Sequence, residues 1–273
     1  MSSDMSTGSP RTAADRVLSV LGAFGRHNTE LSLTEISRRA DLTLTTTHRL
    51  VGELTKWGAL ERDEASQYRI GSRVLELASL SPGGLQFREL ALPHLINLHH
   101  YTNTPVHLSV RKGLELMYVE SLRTRMAHVS TNRMGGRMPL HATSPGLVLL
   151  AYADPQVQDE IFAAPLKAFT EQTRTDPEEL RRVLPDIRRE GAALTRHQVT
   201  LGSAGIAAPI FAPDRTVTAA VGTVVSLEHT EPHVVLPAVV TTARQISAAL
   251  TKISKTTDGH HSLGNPLPSR RDG

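Results

Sequence analysis

Residues 32–54 read SLTEISRRADLTLTTTHRLVGEL, and residues 60–71 continue as LERDEASQYRIG. Ser32 and Glu35 have the spacing of a capping box, which predicts that a helix begins after Ser32. The short break DLT then separates this helix from a second one that begins at about Leu44. The later stretch alternates around a polar tip, which predicts a β-hairpin.

Two helices across a tight turn, followed by a hairpin, form the layout of a winged helix-turn-helix, a DNA-binding module. The second helix turns Thr47, Leu50 and Val51 inward. Its other side carries short hydroxyls, an imidazole and a guanidinium, which donate to phosphates and base edges. With the helix caps and the hairpin tip included, we expect DNA contacts from Ser32, Thr43, Thr45, Thr46, His48, Arg49, Arg62, Gln67 and Arg69.

A plain helical hairpin with an indifferent polar surface is the competing interpretation. His48 alone is weak evidence, because a single histidine is more often a surface or packing residue. Arg49 alone is weak as well, because it can pair with Glu53 four residues later. The DNA-binding interpretation depends instead on the combination of capping box, short turn, hairpin and arginines flanking the tip.

Composition excludes several other classes of protein. The chain has 273 residues, which favours two domains, and no cysteine, which excludes disulfides, thiol catalysis and thiolate metal sites. A net charge of +3 and a pI near 9.4 are compatible with nucleic acid but do not establish it. The N-terminus MSSDMSTGSPR lacks the apolar core of a signal peptide, and no apolar run approaches the ~20 residues of a membrane span. We therefore expect a cytoplasmic protein.

Changes in composition divide the chain into segments. Strands that share one sheet with flanking helices predict an α+β second domain, with strands at 106–110, 114–121, 126–131, 205–211 and 216–226. Its helices are expected at 85–101, 144–152, 156–162, 177–190 and 232–253. The segments are a disordered N-terminus at 1–11, the winged helix-turn-helix at 12–75, a linker at 76–84, the second domain at 85–253 and a disordered tail at 254–273.

From about residue 14 to residue 253, the chain resembles the IclR family of bacterial transcription regulators. The motifs are LSLTEISRRADLTLTTTHRLVGEL, LERD with YRIGSRVLEL, GGRMPLHATSPG, RREG and GIAAPIF. The resemblance implies a linker helix, a C-terminal effector domain resembling a GAF fold, and homodimers or homotetramers that bind double-stranded operator DNA and respond to a small-molecule effector. We expect a repressor, although activators share this layout.

The resemblance is poorer in the effector pocket. Gly205 stands where the family often has a cysteine, and Gly222 and Val224 stand where it often has small hydroxyls. After RREG, residues 194–197 replace an acidic cluster. We therefore expect space beside the two glycines and a carboxylate or phenol-like effector larger than glyoxylate or pyruvate. The predicted effector-binding residues are Met126, His128, Ser144, His197, Gly205, Gly222 and Val224.

Other functions receive less support from the sequence. Ser144 lies in TSPG and Ser203 in GSAG, and neither is the G-x-S-x-G elbow of a hydrolase. The adjacent pairs His99-His100 and His260-His261 do not face together on a helix, so we expect neither a metal nor a cofactor. A regulator without an effector and an architectural DNA-binding protein remain alternatives, although the large second domain argues against the latter.

Overall fold

The computed structural model describes residues 11–25, 28–80, 85–123 and 133–261. It divides into two compact units, Met1–Leu85 and Gln86–Gly273. The strand expected at 126–131, the Ser-Pro-Gly-Gly segment at 81–84 and most of both expected disordered termini lie outside the described residues.

The first unit has the predicted layout of helices and hairpin. Its elements are α1 (Ala13–Gly22), α2 (Leu33–Ala40), α3 (Leu44–Trp57), β1 (Leu60–Arg62), β2 (Tyr68–Ile70) and α4 (Ser72–Ser79). β1 and β2 pair antiparallel, with Glu61 opposite Arg69. We call the hairpin formed by β1, β2 and the turn between them the wing.

Local hydrogen bonds explain where the central helices begin and end. The Ser32 amide donates to Glu35 Oε2 at 2.9 Å, and the Glu35 amide donates to Ser32 Oγ at 3.3 Å, which confirms the predicted capping box. Thr43 caps α3, and Gly58 ends it with φ at 89°. The apolar spacing of residues 14–26 predicts one amphipathic helix over that range, but α1 ends earlier, because the chain turns after Gly22.

The core of the first unit is aliphatic. Side chains at helical spacing on three helices meet residues of the wing, and full burial of each stabilises by roughly 1.5–3 kcal/mol. α4 contributes no fully buried residue. The largest buried side chains include Leu31, Ile36, Leu50, Val51, Leu60 and Tyr68.

The second unit is built around one antiparallel sheet of six strands in the order β5-β4-β3-β8-β7-β6. This confirms the expected α+β class. Its elements are α5 (Leu85–Thr102), β3 (Val106–Lys112), β4 (Glu115–Leu122), β5 (Arg137–Pro139), a 3-10 turn (Leu140–Ala142), α6 (Ser144–Ala151), α7 (Pro155–Ala163), α8 (Pro177–Glu190), β6 (Ala193–Arg196), β7 (Ser203–Phe211), β8 (Val217–Ser226) and α9 (Pro232–His261).

Each face of this sheet carries its own core. α5 and α9 pack on one face, and α6, α7 and α8 pack on the other. Ile206 and Ala207 belong to different cores, because successive side chains of a strand point to opposite faces. The apolar run GIAAPIF is therefore buried on both sides.

Several details differ from the sequence-based expectations. The short strands β5 and β6 were not predicted, and α9 continues past residue 253 to His261. By length and composition, Pro232–Ile253 is also apolar enough to cross a membrane, contrary to the expectation that no run would be. One face of this helix, with Val239 and Ile246, is buried against the sheet, as in the core helix of a globular domain.

Candidate functional site

The exposed face of α3 carries the polar groups expected to meet DNA. Thr45, His48 and Arg49 are exposed, whereas Thr47 on the opposite face is buried. Thr43 Oγ1 donates to Thr46 Oγ1 at 2.9 Å, so these two residues also hold the start of the helix. One helix thus presents hydroxyl, imidazole and guanidinium groups side by side.

Arg49 is held in a weak ion pair. Its Nη1 lies 2.5 Å from Glu53 Oε1, and both side chains are about 60% exposed. An exposed pair of this kind contributes little stability because water and salt screen it. A DNA phosphate or base edge can therefore compete with Glu53 for the guanidinium.

The wing presents two further guanidinium groups. Arg62 lies over the Tyr68 ring at 5.5 Å from its centroid, and Arg69 donates to Glu61 Oε2 from Nη2 and Nε at 3.0 and 3.2 Å. The Gln67 amide donates to the Asp63 carboxylate at 2.7 Å and closes the tip, which gives Gln67 a backbone role.

Two positions in this unit qualify the predicted interface. The Ser32 hydroxyl donates to Glu35 at 2.7 Å within the capping box, so its first role is to fix the start of α2. Leu44, at the first position of α3, is 51% exposed, and its apolar side chain cannot supply a charged contact to DNA. The contacts of all nine residues with DNA remain predictions.

A cavity of about 240 Å³ lies in the second unit between the start of α6 and the sheet. Four of the predicted effector residues line it: Ser144, Gly205, Gly222 and Val224. Met126 and His128 lie outside the described residues. The described residues that line it are Pro105, His107, Tyr118, Met138, Ala142, Thr143, Ser144, Pro145, Thr195, Gln198, Val199, Thr200, Ser203, Gly205, Gly222, Thr223 and Val224.

His197 does not line this cavity. It lies in a separate polar groove, and its Nδ1 accepts a hydrogen bond from the Gly202 amide at 3.0 Å. The neighbouring Gln198 lines the cavity instead, and hydrogen bonds hold its side chain in place. Gln198 Oε1 accepts from the Arg174 amide at 2.8 Å, and its Nε2 donates to the Gln172 carbonyl at 2.5 Å.

The expectation of empty space beside the two glycines is wrong. A Cβ at Gly205 would lie 2.7 Å from Ser144 Oγ and 2.8 Å from Thr195 Oγ1. A Cβ at Gly222 would lie 3.0 Å from the Ile206 carbonyl oxygen. The absent side chains make room for neighbouring hydroxyls and backbone, although both glycines line the cavity.

The start of α6 supplies the polar end of the cavity. Thr143 caps the helix by accepting from the Gly146 amide at 3.1 Å, and Pro145 has no amide hydrogen to donate. The Ser144 hydroxyl makes no hydrogen bond within the part of the chain that the structure describes. The Ser144 and Thr195 hydroxyls both lie next to Gly205. Ser144 also lies near the partial positive charge of the α6 N-terminus.

Two aromatic residues form a wall that sequence reasoning missed. The ring centroids of His107 and Tyr118 lie 5.3 Å apart. Burial lowers the pKa of His107 to about 4, with a smaller contribution from the nearby Arg123 guanidinium, so the imidazole is neutral near pH 7. A polar ring between Val106 and Leu108 in an apolar strand is the signal that could have identified it.

The part of the lining that the structure describes contains no fixed charge. Among the described residues around the cavity, none is Lys, Arg, Asp or Glu. The described part of the chain also has no group of three His, Asp or Glu residues that could hold a metal ion. The arrangement suits a ligand with one polar end, placed near Ser144 and Thr195, and an apolar or aromatic body.

Comparisons with known proteins find matches to both units of the chain. Residues 13–64 match the IclR helix-turn-helix domain, and residues 82–248 match the bacterial transcriptional regulator IclR C-terminal domain. The regulator XynR of Escherichia coli is 29% identical over 76% of this chain and 83% of its own length. The Pca operon regulatory protein of Acinetobacter baylyi is 28% identical, over 84% and 85%.

Among solved structures, an IclR homolog from Microbacterium hydrocarbonoxydans, complexed with 4-hydroxybenzoate, is similar to this chain with a TM-score of 0.85. The two chains are 33% identical, and the match covers 88% of this chain and all of that one. These matches extend over both units and over most of each relative. The chain belongs to the IclR family of DNA-binding transcriptional regulators, which are not enzymes.

Proposed function

We propose that this regulator is a cytoplasmic repressor that binds operator DNA as a homodimer or homotetramer and releases it when an aromatic or similarly bulky carboxylic acid occupies the cavity. The observation that carries the proposal is the cavity at the start of α6, with hydroxyl groups at one end and an aromatic wall. A concave, mostly apolar pocket with a few convergent polar groups is the usual form of a small-molecule site.

The chemistry of the lining supports a monocarboxylate. Ser144 and Thr195 place hydroxyls beside the α6 N-terminus, where a single negative charge is favoured. The described lining offers no cation, so a small oxo-acid, which has little apolar surface to bury, would lose more hydration of its carboxylate than it regains. A larger acid compensates by burying its apolar body against His107 and Tyr118. The relative complexed with 4-hydroxybenzoate provides an example of such an acid.

Exposed apolar side chains support the oligomer. Leu75 on α4 and Leu80 directly after it are 69% and 75% exposed in the single chain, and Leu18 on α1 is exposed as well. Tyr101 on α5 is similarly open. Such surfaces are favoured as subunit contacts, and paired helix-turn-helix modules read two half-sites about one helical turn apart.

Helix α5 is the proposed carrier of the response, because it contacts elements of the cavity wall near both ends. Near its start, Arg88 Nη2 lies 2.6 Å from Glu120 Oε2 on β4, the strand that also places Tyr118 in the wall. Near its end, hydroxyls connect Thr102 to Thr104 at 2.7 Å and Thr104 to Thr223 at 2.6 Å. A ligand that shifts β4 or β8 would therefore shift α5.

The test compares acids of different size. Benzoate and 4-hydroxybenzoate are expected to raise the melting temperature and to weaken binding to an operator selected from genomic fragments, whereas glyoxylate and pyruvate are not. Filling the cavity with Val224→Phe should remove the thermal shift. Thr218→Val, at the exposed start of the same strand, should keep it.

Each alternative has its own outcome. Stabilisation by glyoxylate or pyruvate alone would contradict the size of the proposed effector. A response to none of the acids would favour a regulator without this class of effector. Tighter operator binding in the presence of the acid would contradict release of DNA by the effector, and a monomer in light scattering at micromolar concentration would contradict the oligomer.

A further inference from the structure

The carboxylate of Glu61 joins two parts of the first unit. In the wing, Glu61 Oε2 accepts from Arg69 Nη2 at 3.0 Å and from Nε at 3.2 Å. Its other oxygen, Oε1, accepts from the backbone amide of Ser72 at 3.0 Å, at the first position of α4. These bonds hold the pKa of Glu61 below its ordinary value, with the Ser72 amide as the largest cause. One side chain thus ties the wing to α4.

Helix α4 depends on anchors in its first turn. Gly71 stands at its N-cap and supplies no side chain to cap it, and no residue of the helix is fully buried. The Gly71 amide donates to the Ala59 carbonyl at 2.8 Å, and the Arg73 guanidinium lies 5.5 Å from the centre of the Trp57 ring. Glu61 provides the side-chain cap that Gly71 lacks.

We propose that Glu61 is a positioning residue that sets the half-site spacing the protein accepts, because it fixes the direction in which α4 leaves the DNA-binding unit. The inference rests on the dimeric DNA binding proposed above. In a dimer, the direction of α4 limits how far apart two recognition helices can lie. Two extra base pairs move one half-site by roughly 7 Å and rotate it by roughly 70°. A firmly held α4 tolerates that change poorly.

The measurement compares two operators, one with the preferred spacing and one with two base pairs inserted between the half-sites. The ratio is the dissociation constant for the operator with the insertion divided by that for the preferred operator. For the full-length wild-type protein we expect a ratio of at least about tenfold, because the second half-site contributes much of the specific affinity. For Glu61→Ala we expect a ratio below about threefold, because α4 is no longer capped. The ratio cancels any uniform change in affinity.

Ser72→Pro removes the amide hydrogen together with the Ser72 hydroxyl, and it leaves every charge of the wing in place. Proline is accepted at the first position of a helix, and Gly71, with φ −84° and ψ 164°, already has the extended conformation that proline requires before it. This variant should lower the ratio of dissociation constants as Glu61→Ala does. Glu61→Gln keeps an oxygen that can accept from Ser72 and should restore the ratio.

Glu76→Ala is the matched control. It removes an ion pair with Arg73 at 3.0 Å that lies entirely within α4, so the wild-type ratio should persist. A wild-type ratio in Glu61→Ala or in Ser72→Pro would overturn the proposal, as would equal binding of both operators by the wild-type dimer. A monomer bound to a single half-site would contradict the proposed oligomer as well, and light scattering separates the two failures.

Discussion

The exposed face of α3 and the wall of the cavity are built in opposite ways. Thr45, His48 and Arg49 follow one another on a single helix, so the helical period alone brings them to one side. The cavity wall draws on residues from Pro105 to Val224, carried by several strands, a 3-10 turn and the start of α6. A site on one element follows from local periodicity, whereas a site on many elements follows from the packing of the whole domain.

The two regions also differ in their contact with water. Arg49 and Glu53 are both more than half exposed, so their attraction is screened and easily exchanged for DNA. His107 is 2% exposed, and its charged form is strongly disfavoured. The DNA-binding unit and the effector unit should therefore respond differently to pH, charge and substitution.

The largest expected difference is in the dependence of stability on pH. The pKa of His107 is about 4 in the fold, against an ordinary value of 6.5, so between these values the unfolded chain binds the proton more readily. Stability from the neutral ring is complete above pH 6.5 and is lost as the pH falls towards 4. The effector unit should lose roughly 3 kcal/mol of unfolding free energy across this window.

His107→Gln should remove most of this loss, because the amide does not titrate. A smaller dependence of the same sign should remain from His141, whose pKa burial also lowers. In the first unit, hydrogen bonds lower the pKa of the exposed carboxyls of Glu35 and Glu61, so their contribution is present above their ordinary pKa values and is lost only at lower pH. Urea titrations would use Trp57 fluorescence for the first unit and amide exchange in α9 for the second. Equal losses in both units would contradict the prediction.

The same contrast explains how far the sequence could predict the molecule. The start and end of α3 can be predicted from Thr43 and Gly58, because caps act within one turn. β5 and β6 are too short for an alternating pattern to mark them. The occupied space beside Gly205 could not be predicted, because Ser144 and Thr195 reach it from different elements.

The second prediction tests whether α3 reads DNA. Arg49→Ala should weaken operator binding by ~1–3 kcal/mol, because a guanidinium bonded to a base edge or phosphate contributes about that much. Arg49→Lys should recover only part of the loss, because the ammonium cannot form two parallel bonds. Mobility-shift titrations at several salt concentrations measure both variants.

Substitutions in the wing provide the comparison for Arg49. Arg62→Ala or Arg69→Ala should lower affinity more evenly across sequences and reduce the salt slope by about one, as expected for phosphate contacts. Wild-type affinity in Arg49→Ala would show that the exposed face of α3 does not enter the groove.

The smallest expected effect is at Ser32, where the structure makes folding the main role. Its hydroxyl accepts from the Glu35 amide and donates to the Glu35 carboxylate at 2.7 Å, so Ser32→Ala removes both bonds of the hydroxyl from the capping box. The first unit should lose about 1 kcal/mol of unfolding free energy, read from Trp57 fluorescence in urea, and Ser32→Asn should restore most of it. Because the hydroxyl proton is already committed to Glu35, operator affinity of the folded Ser32→Ala protein should fall less than in Arg49→Ala. A loss of affinity as large as that of Arg49→Ala, with unchanged stability, would instead make Ser32 a principal DNA contact.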